Sequence, residues 1–127
     1  MSESYAVMAL NSEVRDWLVG EGLLDVPSTD GRLPTLEELS TAVNLAAKPD
    51  NPLLHVAAGA SVGITSSDGL ATNLFVGPSA ESGHYEVHFR GGHELLIHRV
   101  VAALARATGP LVVYAHSGSS APVVHRG

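Results

Sequence analysis

The spacing of apolar positions along this chain shifts from strand-like to helical and back again. Tyr5–Leu10 is a short apolar run that ends at Asn11, a residue whose side chain accepts from backbone N–H groups two or three positions on, so a strand leading into a helix is predicted. Glu13 favours that helix start through the dipole. Val14, Trp17 and Leu18 fall at i, i+3 and i+4 as its apolar face, with Gly20 and Gly22 as exits. The segment from Val26 to Pro34 is turn-forming throughout. Thr35 followed by Glu38 then predicts a capping box opening a second helix, which carries Leu36, Leu39, Val43 and Ala46 on one side and stops before Pro49 and Pro52.

From Leu53 onward short β-like runs follow one another: Leu53–Ala58, Ser61–Ser66, Leu70–Val76 and Tyr85–Arg90. Asp68-Gly69 signals a two-residue hairpin in which both positions take positive φ. A third helix runs from about His93 to Ala107, with Leu96, Ile97, Val100, Val101 and Leu104 as its buried stripe and Gly109 as its exit. Leu111–Ala115 is apolar without alternation, the pattern of an inner strand covered on both faces. A type II′ turn at Gly118-Ser119 leads to a last strand, Pro122–His125, and would set Val112 opposite His125. The order β-α-α-β-β-β-β-α-β-β predicts an α+β fold: a single mainly antiparallel sheet with about three helices packed on one face. At 127 residues the chain is read as one domain, 1–127, able to bury its own core.

Charge divides the chain. Residues 1–50 hold nine of the thirteen acidic side chains and a net charge of −6, whereas residues 51–127 are neutral overall and carry all seven histidines. A lone lysine, Lys48, beside six arginines forms no basic stripe for phosphates, which argues against nucleic-acid binding. No apolar run approaches the roughly 20 residues that span a bilayer, and the N-terminus lacks a signal-peptide core, so neither a membrane nor a secreted protein is expected. The absence of cysteine excludes disulfides, thiolate ligands and a cysteine nucleophile. A cytoplasmic, arginine-biased bacterial protein is the resulting expectation.

No motif specifies a reaction, and no cofactor is expected. Strand alternation places His84, Glu86, His88 and Arg90 on one face, so His84, Glu86 and His88 form either a solvated outer face or a metal or proton-transfer site. His93 and His98 are five apart, hence about 140° apart around a helix, which excludes a zinc-protease motif; Glu94 and His98 align instead as an i, i+4 pair. His55 reads as a core or strand-edge residue, and His116 and His125 stand apart along the last hairpin. Gly91-Gly92 lacks a phosphate-loop lysine, and the serine-bearing loops 77–83 and 117–120 lack a nucleophile elbow. The remaining candidates are Glu13, Asp16, Glu21, Asp25, Asp30, Glu37 and Glu38. These acids form one surface for a basic partner if the first two helices pack as neighbours, or serve as ordinary helix-start and solvated residues if they do not.

The stretch from Arg99 to Tyr114, followed by a turn and Val123-Val124, resembles small bacterial immunity-type proteins associated with polymorphic toxins over roughly the last third of the chain. The likeness lies in a helix-Gly-Pro-strand layout and assigns no individual residue. It implies stoichiometric blockade of a toxin, commonly through an acidic surface where the toxin is a basic nuclease. The expectation is therefore a non-enzymatic protein-binding domain for a basic protein partner. A small enzyme or metal-binding protein using the histidine strand face, and a structural module that forms homo-oligomers through an edge strand, are the alternatives.

Overall fold

A computed structural model describes residues 3–46, 61–118 and 121–126. The chain opens with β1 (Ser4–Ala9) and turns at Asn11, whose side-chain oxygen accepts from Val14 N at 2.9 Å to cap α1 (Ser12–Gly20). The capping box forms as expected. Thr35 N donates to Glu38 Oε1 at 3.0 Å and Glu38 N to Thr35 Oγ1 at 3.2 Å, starting α2 (Leu36–Ala46). Then come β2 (Ser61–Thr65), β3 (Ala71–Pro78) and β4 (Tyr85–Arg90), α3 (Glu94–Thr108), β5 (Leu111–Ala115) and β6 (Val123–His125). The strand expected over Leu53–Ala58, with His55 on it, lies outside the described residues.

All pairings are antiparallel, in the order β2-β3-β4-β1-β5-β6, so the described residues form an α+β fold on one sheet. Alternation divides its side chains between two apolar layers. Val7, Leu74, Val76, Val87, Phe89, Leu111 and Val113 meet Leu39 and Val43 of α2 and Leu96, Ile97, Val100, Val101 and Leu104 of α3 in the main core. Leu10 and Val112 face the other way and bury with Leu18 of α1, while Met8, Val14 and Val124 pack around them. The helices therefore share one face only in part, because α1 lies on the side opposite α2 and α3. Leu10 already belongs to that side, and the tight turn at Asn11 folds α1 back over it. β5, sandwiched between both layers, is the doubly covered inner strand its apolar run predicts.

The long α1–α2 connection crosses the end of the sheet from one layer to the other. Gly31 N donates to Leu10 O at 2.8 Å, Arg32 N to Thr108 O at 3.0 Å and Tyr85 N to Pro34 O at 2.9 Å, which pins it there. The crossing is so close that a Cβ at Gly31 would lie 2.0 Å from Pro110 O. Gly92, at φ +77°, is equally constrained, with Ala71 O 1.9 Å from a Cβ built there. Close backbone approach thus explains Gly92 before α3, and Gly91 N is spent on Glu3 O at 2.8 Å. The serine loops act as connectors: Ser79 Oγ donates to His84 O at 2.8 Å, and the Ser117 hydroxyl bonds the Glu3 carboxylate.

Two turn details differ from expectation. Among the described residues only glycines have positive φ, so Asp68 does not adopt the conformation a type I′ hairpin requires. Instead the β2–β3 connection closes through Ser66, whose N donates to Leu70 O at 2.8 Å and whose hydroxyl bonds the Asp68 carboxylate. In the last hairpin the register is Leu111↔His125 and Val112↔Val124, one residue from the expected pairing. A one-residue slip exchanges faces, which places His125 on the α3 side.

Candidate functional site

α1 covers only the β1, β5 and β6 end of its face of the sheet. Phe75 of β3, His88 of β4, Ala6 of β1 and Tyr114 of β5 are consecutive cross-strand partners, forming one row on this side. Arg90 stands one step along, paired with Asn73 and Ser4, its guanidinium 5.5 Å from the Phe75 ring centroid. Ala6 is the small member of the row, and its missing bulk leaves a depression between His88 and Tyr114.

Aromatic rings border that depression. Trp17 of α1 meets Tyr114 with centroids 5.6 Å apart and planes at 73°, Tyr114 lies 5.7 Å from the His116 ring, and His116 lies 6.1 Å from His88. Trp17 remains 36% exposed while its neighbour Leu18 is fully buried. The apolar stripe expected on α1 is thus divided: Leu18 enters the core and Trp17 lies at the surface. Tyr114 lines three adjoining concavities. One of about 350 Å³ has Ala6 and Met8 as floor with Glu86 and His88 at its side. One of about 250 Å³ lies between Trp17, Tyr114, Met8, Val14 and Glu13, and another of about 250 Å³ between Trp17, Tyr114, Glu21 and Pro122. The result is an apolar, ring-walled surface edged by the carboxylates of Glu13, Glu21 and Glu86. Such a surface suits an amphipathic cationic group, since rings attract cations through their faces and carboxylates through charge.

The seven N-terminal acids do not form one surface, because α1 and α2 lie on opposite sides of the sheet. Three of them are paired within the chain. Asp30 holds Arg15 at 2.7 Å, Asp25 holds Arg126 at 3.1 Å, and Glu38 takes the Arg32 guanidinium at 2.7 and 2.6 Å. The Arg32 hydrogen bonds, aided by those from Thr35, hold the Glu38 carboxyl down at about 2. Glu13, Asp16, Glu21 and Glu37 make no ion pair within the described residues. Of these, Glu13 and Glu21 stand on either side of Trp17, Asp16 is exposed on α1, and Glu37 lines a separate groove between α2 and α3 with Arg106.

The histidines are similarly dispersed. His84 precedes β4 with Nδ1 3.7 Å from Glu81 Oε1, while Glu86 and His88 lie on the strand itself. No three His, Cys, Asp or Glu side chains among the described residues converge to hold a metal ion, so His84, Glu86 and His88 are not gathered into such a centre. His93 caps α3, its Nδ1 accepting from Leu95 N at 3.2 Å. Glu94 and His98 do align, at 3.5 Å. His98 also meets His125, a contact that the expected hairpin register would forbid.

Sequence reasoning missed the Trp17–Tyr114 corner. The available signal was the only tryptophan of the chain set between acids at i−4 and i+4, a poor composition for a buried helical stripe. Among the described residues no helix is long and apolar enough to cross a membrane. The chain matches no protein-family model, no curated protein and no solved structure.

Proposed function

We propose that this chain is a non-enzymatic, cytoplasmic protein-binding domain of the immunity or antitoxin type, which captures a basic protein partner with α1 and the sheet face beside it. The observation that carries this reading is the Trp17–Tyr114 pair at the centre of a continuous concave surface edged by Glu13, Glu21 and Glu86. Aromatic anchors surrounded by charge are the usual composition of an interface that binds through a few central residues. Complementary charge at the rim accelerates encounter and selects the partner.

The acidic surface is smaller than the sequence suggests and differently placed. Asp25, Asp30 and Glu38 serve the fold through their arginines, so recognition falls to the α1 acids and Glu86 rather than to α2.

The experiment is stopped-flow association with a basic candidate partner, starting with the product of the neighbouring gene. Raising salt from 50 to 500 mM should slow association about tenfold or more, because steering at charged surfaces is screened. Combining Glu13→Lys with Glu21→Lys should slow it further at low salt with the circular dichroism spectrum unchanged. A complex that forms at the same rate in both proteins would remove the reading.

A further inference from the structure

The corner between Trp17 and Tyr114 carries more specific information than charge alone. Two rings at 73° make the adjoining walls of a concavity of about 250 Å³, with Met8 and Val14 also lining it and Glu13 contributing a carboxylate. On the other side of Trp17 a second, more polar concavity again has Tyr114 and one carboxylate, that of Glu21. Glu13, Trp17 and Glu21 are spaced i, i+4 and i+8, so both carboxylates stand one helical turn from the same indole.

Among the described residues no Lys or Arg lines either concavity, and nearby arginines are engaged elsewhere. Arg15 Nε donates to Pro27 O at 2.8 Å and its Nη2 to Asp30 at 2.7 Å; Arg126 is held by Asp25; Arg90 lies over Phe75. The corner is therefore apolar and aromatic, bears negative charge, and holds no cation of this chain among the described residues.

We infer that this corner is a receptor for one arginine side chain of the partner, its guanidinium plane stacked on one of the two rings with its edge toward the other, and its N–H groups on Glu13. Arginine fits better than lysine. Its flat, weakly hydrated head stacks on rings and can engage a carboxylate through two parallel hydrogen bonds, whereas an ammonium is a compact and strongly hydrated charge. The three-carbon stem finds Met8 and Val14 as apolar cover. This rests on the binding-domain reading and narrows the partner to one that presents an exposed arginine.

The test uses the full chain and three capped tripeptides, Gly-Arg-Gly, Gly-citrulline-Gly and Gly-Lys-Gly, followed through the fluorescence of Trp17, the sole tryptophan, and the Tyr114 ring signals in NMR. The arginine peptide should give a saturable change in both signals, with the neutral citrulline isostere at least about tenfold weaker and the lysine peptide intermediate. Glu13→Gln should weaken the arginine peptide about tenfold while the spectrum of the free protein stays that of the wild type. Absence of saturation, equal binding of citrulline, equal binding of lysine, or indifference to Glu13→Gln would each overturn the assignment. If the peptide fails while Glu13→Lys with Glu21→Lys still slows the basic partner, the arginine corner is lost and the acidic docking surface stands. If the peptide binds as expected and the partner's rate is unmoved, the corner stands and the docking reading is lost.

Discussion

His98 on α3 and His125 on β6 share a hydrogen bond, Nδ1 to Nε2, of 2.8 Å, with ring centroids 5.0 Å apart. One nitrogen must donate and the other accept, so the contact requires at least one neutral ring. Glu94 lies 3.5 Å from the other ring nitrogen of His98, Nε2. Burial, with the charge of His98 adding to it, pushes the pKa of His125 below its ordinary 6.5. A base whose pKa falls on folding binds fewer protons in the native state, so its contribution is complete above pH 6.5 and is lost as pH drops through the folded value. Urea midpoints measured from pH 8 to pH 5 should fall across that window, and His125→Phe should flatten the fall. An identical slope in the variant would contradict the pairing.

Arg32, Thr35 and Glu38 form a second acid-sensitive unit. The Glu38 carboxyl is lowered from 4.5 to about 2 by Arg32 and Thr35, so its contribution is present above pH 4.5 and fades toward pH 2. Thr35→Ala should cost about 1 kcal/mol as a lost cap, and Glu38→Ala about 1 to 2 kcal/mol, measured by denaturant unfolding at pH 7. The double variant should fall short of the sum because both side chains serve the same helix start, each accepting from the other residue's backbone N–H.

The glycines separate sharply by surroundings. Gly31→Ala and Gly92→Ala drive a methyl group into Pro110 O and Ala71 O, and each should cost more than about 2 kcal/mol. Gly20→Ala, with nothing within 4 Å, should be neutral or stabilise by up to about 1 kcal/mol. Chemical unfolding of the three proteins gives the ranking directly.

Truncation in the main core should follow burial. Phe89→Ala, at a fully buried position, should lose about 3 to 5 kcal/mol, whereas Leu24→Ala, at a fully exposed one, should stay within about 0.5 kcal/mol. Thermal unfolding of both variants at equal concentration would expose a failure of either expectation.

Local chemistry was the legible part of this sequence. Asn11, the Thr35–Glu38 box and the stripe on α3 each involve partners within four residues, where side-chain type dictates geometry. Face and register were harder. Val14 and Leu18 announce that α1 has a buried side, but nothing in their spacing says which side of the sheet receives it. The last hairpin is expected from a Gly-Ser pair, and a one-residue shift of register carries His125 from the face of Val112 to the face of His98. That single step hid the histidine pair. The candidate site suffered in the same way: Tyr114 is one letter in an apolar run until alternation brings it beneath Trp17. The acids were visible as a composition, but their arginine partners lie up to 101 residues away, as Asp25 and Arg126 do.

The two apolar layers are separated by the sheet, and they are unequal. Among the described residues, only Leu10, Leu18 and Val112 are fully buried on the α1 side, against a far larger set beneath α2 and α3. Opening free energy follows buried apolar contact, so α1 should lift from the sheet at a fraction of the cost of global unfolding, and its amides should exchange before those of α3. The proposed docking side of the molecule is thereby granted compliance while the opposite side keeps the topology intact. A partner seated over Trp17 would tighten the weaker layer, so that binding registers as slowed exchange in a helix whose outward residues it need not touch.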